Sequence, residues 1–128
     1  MLRAIPILAL VACSAPSPFV VRGIAALDDR GVAVSGHVVE RVGRRVGLVC
    51  LTVDAVACSG RVDLADPSLS QTVPLLCEDG ARPSVTLQSR ALAEGADEGG
   101  VLSTGDARTL LRLSSPRPAD GSPCDQNA

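Results

Sequence analysis

The sequence predicts an all-β domain, a small antiparallel meander curled toward a barrel or sandwich. Three observations carry this. Short runs rich in Val and Leu are separated by Gly, Asp and Pro turn signals at near-regular spacing. Along residues 56–64, Val56, Cys58, Val62 and Leu64 share one face while Ser59, Arg61 and Asp63 share the other, the alternation of a half-buried strand. Turn lengths on either side of that run keep one apolar face continuous. With 128 residues, 46% of them hydrophobic, the chain suffices for one small domain whose core is built from Val, Leu, Ala and Ile.

At the start of the chain Arg3 precedes an apolar run that ends in Leu10-Val11-Ala12-Cys13-Ser14. The run is too short to span a bilayer, which takes roughly 20 residues, and suits the apolar region of an export signal, typically ~7–15 residues. The stretch resembles the lipobox of bacterial lipoproteins. That resemblance implies that the Cys13 thiol takes a diacylglycerol and that the bond before it is cut. Residues 1–12 then form a signal peptide, and 13–18 a lipidated tether of extended Ser and Pro residues. Ser14 in place of aspartate implies delivery to the outer membrane where the cell has one. Ala12 and Ser14 also fit a plain secretory cleavage ahead of Ala15.

The β domain is expected over 19–113, with strands near 19–27, 32–40, 46–53, 56–64, 71–77, 82–90, 99–104 and 108–113. A turn centred on Pro67-Ser68 sets Cys58 opposite Cys77, Gly60 opposite Leu75 and Val62 opposite Val73. A three-residue loop Glu78-Asp79-Gly80, with Gly80 left-handed, sets Val73 opposite Val85; a two-residue Asp-Gly turn would swap the faces. A tight turn at Asp54-Ala55 pairs Val53 with Val56 and Leu51 with Cys58, turning Cys50 outward; a loop one residue longer would set Cys50 opposite Cys58 instead. Glu94 to Gly100 reads as a flexible acidic loop and Thr104-Gly105-Asp106-Ala107 as a hairpin turn with glycine first. Residues 114–128, rich in Ser, Pro and Asp, show no core pattern and are expected to form a disordered tail.

The chain has five cysteines, and assigning Cys13 to lipid leaves Cys50, Cys58, Cys77 and Cys124, an even set with three possible connectivities. In an oxidising envelope these are expected to form disulfides, with Cys58–Cys77 preferred from the register and Cys124 returning to Cys50. The run Cys58-Ser59-Gly60 … Cys77-Glu78-Asp79-Gly80, with Gly100-Val101-Leu102 and a Gly-Asp turn after it, is similar to a pattern in small proteobacterial lipoproteins, where a C-x-G strand pairs with a C-x-D-G strand. The similarity covers about half the chain, and Val62 and Ala81 stand where such proteins often carry an aromatic and a basic residue. It implies a fold and no activity.

Composition narrows the function. Net charge is −2, all basic residues are arginine, and Phe19 is the single aromatic, so neither phosphate neutralisation nor base stacking supports nucleic-acid binding. No CxxC pair exists and His37 is the one histidine, which argues against zinc and against thioredoxin-like redox work. His37, opposite in facing to Val34 and Val38, is expected to point to solvent. A triad of His37 with Ser35 or Ser59 lacks a nucleophile elbow. The carboxylates of 94–98 do not follow an EF-hand order, so a solvated loop is preferred to calcium. Arg41, Arg44 and Arg45 around Gly43 suit either anionic lipid or a solvated hairpin tip, and the tip is preferred because Glu40 offsets them. Val46 to Val53 is expected to be a core strand; at an edge it would add a strand from a partner.

The expected function is that of a lipid-anchored envelope protein and non-enzymatic interaction module, without cofactor, metal or nucleic acid. Its partners are the membrane, through the anchor, and an envelope protein. The second reading is a ligand-binding or enzyme-inhibitor lipoprotein, similar in size and anchor to those that block lysozyme but without their aromatic-containing motifs.

Overall fold

The computed structural model describes residues 18–28 and 31–124. The expected signal peptide, Cys13 and the tether before Pro18 lie outside the described residues. The strands are β1 (Phe19–Ala26), β2 (Val34–Arg41), β3 (Val46–Val53), β4 (Val56–Asp63), β5 (Ser70–Pro74), β6 (Leu76–Cys77), β7 (Ser84–Gln88), β8 (Ala96–Thr104), β9 (Ala107–Leu113) and β10 (Arg117–Ala119), with a helix α1 (Ser89–Glu94) between β7 and β8. All pairings are antiparallel, in the order β5-β7-β8-β9-β1-β2-β3-β4-β6, with β10 beside β1. Because β5 and β6 are one stretch of chain interrupted at Leu75, the two ends of that order meet and the sheet is nearly closed into a barrel.

The alternation read from the sequence points apolar side chains inward. Val38, Val49, Val62, Val85, Leu87 and Leu102 are wholly buried in one aliphatic cluster. Asp54 and Ala55 both take positive φ, 47° and 69°, which makes the tight turn that pairs Val53 with Val56 and Leu51 with Cys58. Gly80 is left-handed at 87°, and Val73 faces Val85. β3 lies between β2 and β4, so the Val46–Val53 run is a central strand with no edge to offer.

The path of the chain departs from expectation at four places. Cys58 faces Cys77, but the expected Gly60–Leu75 and Val62–Val73 pairs are not part of the ladder. The chain leaves β4 there to join β7: the Leu75 N–H donates to Pro83 O at 2.9 Å, so by strand alternation the missing N–H of Pro74 falls on the β4 side. Gly60 permits the crossing, since a Cβ on it would stand 2.6 Å from Pro74 O. The strand expected over 82–90 stops at Gln88, where α1 begins and packs Ala91 and Leu92 into the core. The expected loop from Glu94 to Gly100 is in large part β8, with a bulge between Ala96 and Gly100. The tail is ordered through Cys124: β10 continues β9 along β1 after a one-residue shift, from Ile24↔Leu113 to Val21↔Arg117.

Candidate functional site at the barrel mouth

The two ends of the barrel differ. At the root, α1 fills the opening and Pro18 leads into β1. At the mouth, the β3–β4 turn, the loop 78–83 and the turn at Gly105 surround a cavity of about 320 Å³. Its floor is Val53, Val56 and the Cys58–Cys77 disulfide, and its rim carries Asp54, Asp79 and Arg82. Asp54 Oδ1 accepts the Ala33 N–H and Asp79 Oδ1 the Ala81 N–H, both at 3.0 Å, so these carboxylates brace the rim loops. Among the described residues the mouth loops carry Asp28, Asp54, Glu78, Asp79 and Asp106 against Arg82, with Arg108 at the start of β9, a net acidic end. An apolar floor under a charged rim suits a small amphipathic group.

Both disulfides join the cysteines that register and tail placed together. Cys58 and Cys77 are direct cross-strand partners. Cys50 faces outward from β3 and bonds Cys124, with Cα atoms 5.8 Å apart, which staples the tail across the outer face. His37 pairs with Cys50 on that face and is half-buried beside the tail instead of standing in solvent. Burial, and next the Arg117 guanidinium, hold its imidazole below the ordinary value, so it is neutral at neutral pH. Cys50 lies between His37 and Ser59 in the row, leaving the two about 10 Å apart at strand spacing. Among the described residues no hydrogen bond joins His37 to Ser35 or Ser59.

No family model, curated protein or solved structure matches the chain. What the surface does therefore rests on its own residues. Among the described residues, no three His, Cys, Asp or Glu side chains converge as a metal site, and no helix is long and apolar enough to cross a membrane. Two of the acidic residues weighed for calcium face cations instead: Glu94 pairs with Arg90 at 3.1 Å and Asp97 with Arg112 at 3.2 Å.

Three residues that pattern reading passed over matter to the site's surroundings. Arg22 points into the barrel, where its Nε donates to Leu92 O at the end of α1. Its Nη1 lies 2.9 Å from Glu40 Oε1, an ion pair whose angle falls outside hydrogen-bond geometry. Glu40 is thus turned inward and does not offset Arg41, Arg44 and Arg45 as expected. Arg61, from β4, joins those three around an outer groove near Phe19. Opposite charges at inward positions of neighbouring strands were the available sign of the Arg22–Glu40 pair. Gln71 spans the seam between β4 and β5: its Nε2 donates to Asp63 O at 2.8 Å, and its Oε1 accepts the Asp63 N–H at 2.7 Å.

Proposed function

We propose that the chain is a lipid-anchored, non-enzymatic interaction module of the cell envelope, held at the outer membrane through Cys13. The observation that carries this is the use of cysteine. Four of the five are spent in two disulfides within the barrel, bonds that persist in oxidising compartments, and the fifth is Cys13 at the end of the apolar run. The fold supports the arrangement. Pro18 leads into the root, and eight residues of β3 separate root from mouth by about 25 Å, so an anchored barrel presents its acidic mouth away from the lipid. Mass spectrometry of the mature protein tests the reading. It expects an acylated N-terminal Cys13 with the other four cysteines oxidised; a chain beginning at Ala15 or retaining Met1 overturns it.

A second reading, a ligand-binding or enzyme-inhibitor lipoprotein, is favoured by the mouth itself, an apolar cavity with Arg82 on an otherwise acidic rim. Immobilised protein should then retain a muralytic enzyme, and Arg82→Glu should release it. No retention by the wild-type chain removes this reading.

A further inference from the structure

The outer face of β1–β4 near the root carries its charge in one place. Arg41, Arg44, Arg45 and Arg61 line a groove of about 460 Å³ beside Phe19. The Arg41 guanidinium sits 5.9 Å above the Phe19 ring, which fixes its direction. No carboxylate lies within ion-pair distance of Arg44, Arg45 or Arg61 among the described residues. Asp63 is the one carboxylate on this face within the four strands, and its Oδ1 accepts the Ala65 N–H; the tail adds exposed Asp120, next to Ala119, which pairs with Phe19, so four arginines stand against two carboxylates. Val42 and Val46, 58% and 52% exposed, stand beside the arginines.

The position of this patch is set by the chain itself. The Val42 N–H donates to Pro18 O at 2.9 Å, which ties the arginine hairpin to the residue that opens the fold. From Cys13 to Pro18 the backbone spans at most about 18 Å, less than two Debye lengths of roughly 10 Å, so even at full stretch a lipid at Cys13 would keep the hairpin where the surface charge of a bilayer is still felt in part, and any shorter path brings it closer. We infer that Arg41, Arg44, Arg45 and Arg61, with Val42 and Val46, form a docking surface for an anionic phospholipid bilayer, which orients the anchored barrel root-down; this rests on the lipid-anchored reading above. Four guanidinia spread along an open face beside exposed valines match a sheet of headgroups over acyl chains. A single soluble phosphate calls for donors that converge. The acidic mouth at the opposite end is repelled by the same surface, so attraction and repulsion act in one sense.

The test uses the chain from Ser14 onward, which contains every strand and both disulfides of the barrel, mixed with phosphatidylglycerol-containing or pure phosphatidylcholine vesicles. Binding is expected to the first only, to weaken with added salt, and to fall about 25-fold in Arg44→Ala/Arg45→Ala, at roughly fivefold per arginine. Both arginines are exposed turn residues, and an unchanged melting temperature confirms that the variant is folded. Absence of binding, equal binding to both vesicles, or indifference to the double substitution overturns the surface. Competition by soluble polyphosphate as strong as by vesicles overturns the bilayer as its occupant. Acylation of Cys13 is read separately by mass on the full chain, so loss of the anchor and loss of the surface are told apart.

Discussion

Ala55 holds a backbone conformation that suits glycine better. With φ at 69°, beside Asp54 at 47°, it closes the β3–β4 hairpin in the left-handed region, where a Cβ costs about 1 kcal/mol. Ala55→Gly is expected to stabilise the protein by about 0.5 kcal/mol, the strain relieved less the added freedom of the unfolded chain, read as a higher denaturant midpoint at unchanged slope. Gly36 shows the opposite constraint, since a Cβ there would lie 2.1 Å from Cys50 O. His37 makes stability depend on pH. Its folded pKa lies below 6.5, so the unfolded chain binds a proton more readily; stability is complete above pH 6.5 and declines as pH falls from there toward the folded value. His37→Gln should flatten that decline in denaturation curves taken across the range, and a profile the substitution leaves unchanged would show that the titration lies elsewhere. At this scale the Cys58–Cys77 pair was legible because opposition across a ladder follows from turn length, whereas Cys124 was expected at Cys50 only because those two cysteines remained. The burial of His37 was not, because the tail that covers it carries no apolar pattern.

The helix and the tail show what pattern reading loses at the level of elements. α1 is a single short stretch, and its signs were present: good helix formers, Arg90 and Glu94 four residues apart, and Gly95 at φ 82° to stop it. They were outweighed by the Val and Leu of the preceding strand, since six residues contain too little periodicity to separate helix from strand. Arg22 ties α1 to β2 through Leu92 O and Glu40. Arg22→Met should cost about 2–3 kcal/mol, because a helix-end carbonyl and a partly buried carboxylate both lose their cation. Chemical denaturation measures this, and a loss below half that range would mean that water replaces the guanidinium. The tail is held by β10 and the Cys50–Cys124 bridge, which closes 74 residues of sequence. Cys50→Ser with Cys124→Ser is expected to remove about 2–4 kcal/mol and to speed amide exchange along residues 19–21 of β1 while leaving the buried strands protected.

Closure is the property of the whole molecule. The stretch from Ser70 to Cys77 pairs with β7 in its first part and with β4 in its last, and Gln71 bridges the gap by standing in for a ladder partner of Asp63. Gln71→Ala should lower stability by about 1–2 kcal/mol and expose the Asp63 amide to exchange, whereas a change confined to global stability would show that the seam does not open locally. Closure also separates charge, placing the acidic mouth and the arginine face at opposite ends of a chain whose net charge is only −2. By itself the sequence determined the all-β class, the facing of residues from Val46 to Val85 and the opposition of Cys58 and Cys77. These follow from a period of two and from short turns, which are local and leave little choice of register. Only the tertiary structure decided that the sheet closes, that α1 fills the root, that the tail lies on β1, and that Glu40 turns inward to Arg22. Those outcomes depend on which distant segments compete for the same space, a competition that no local pattern records.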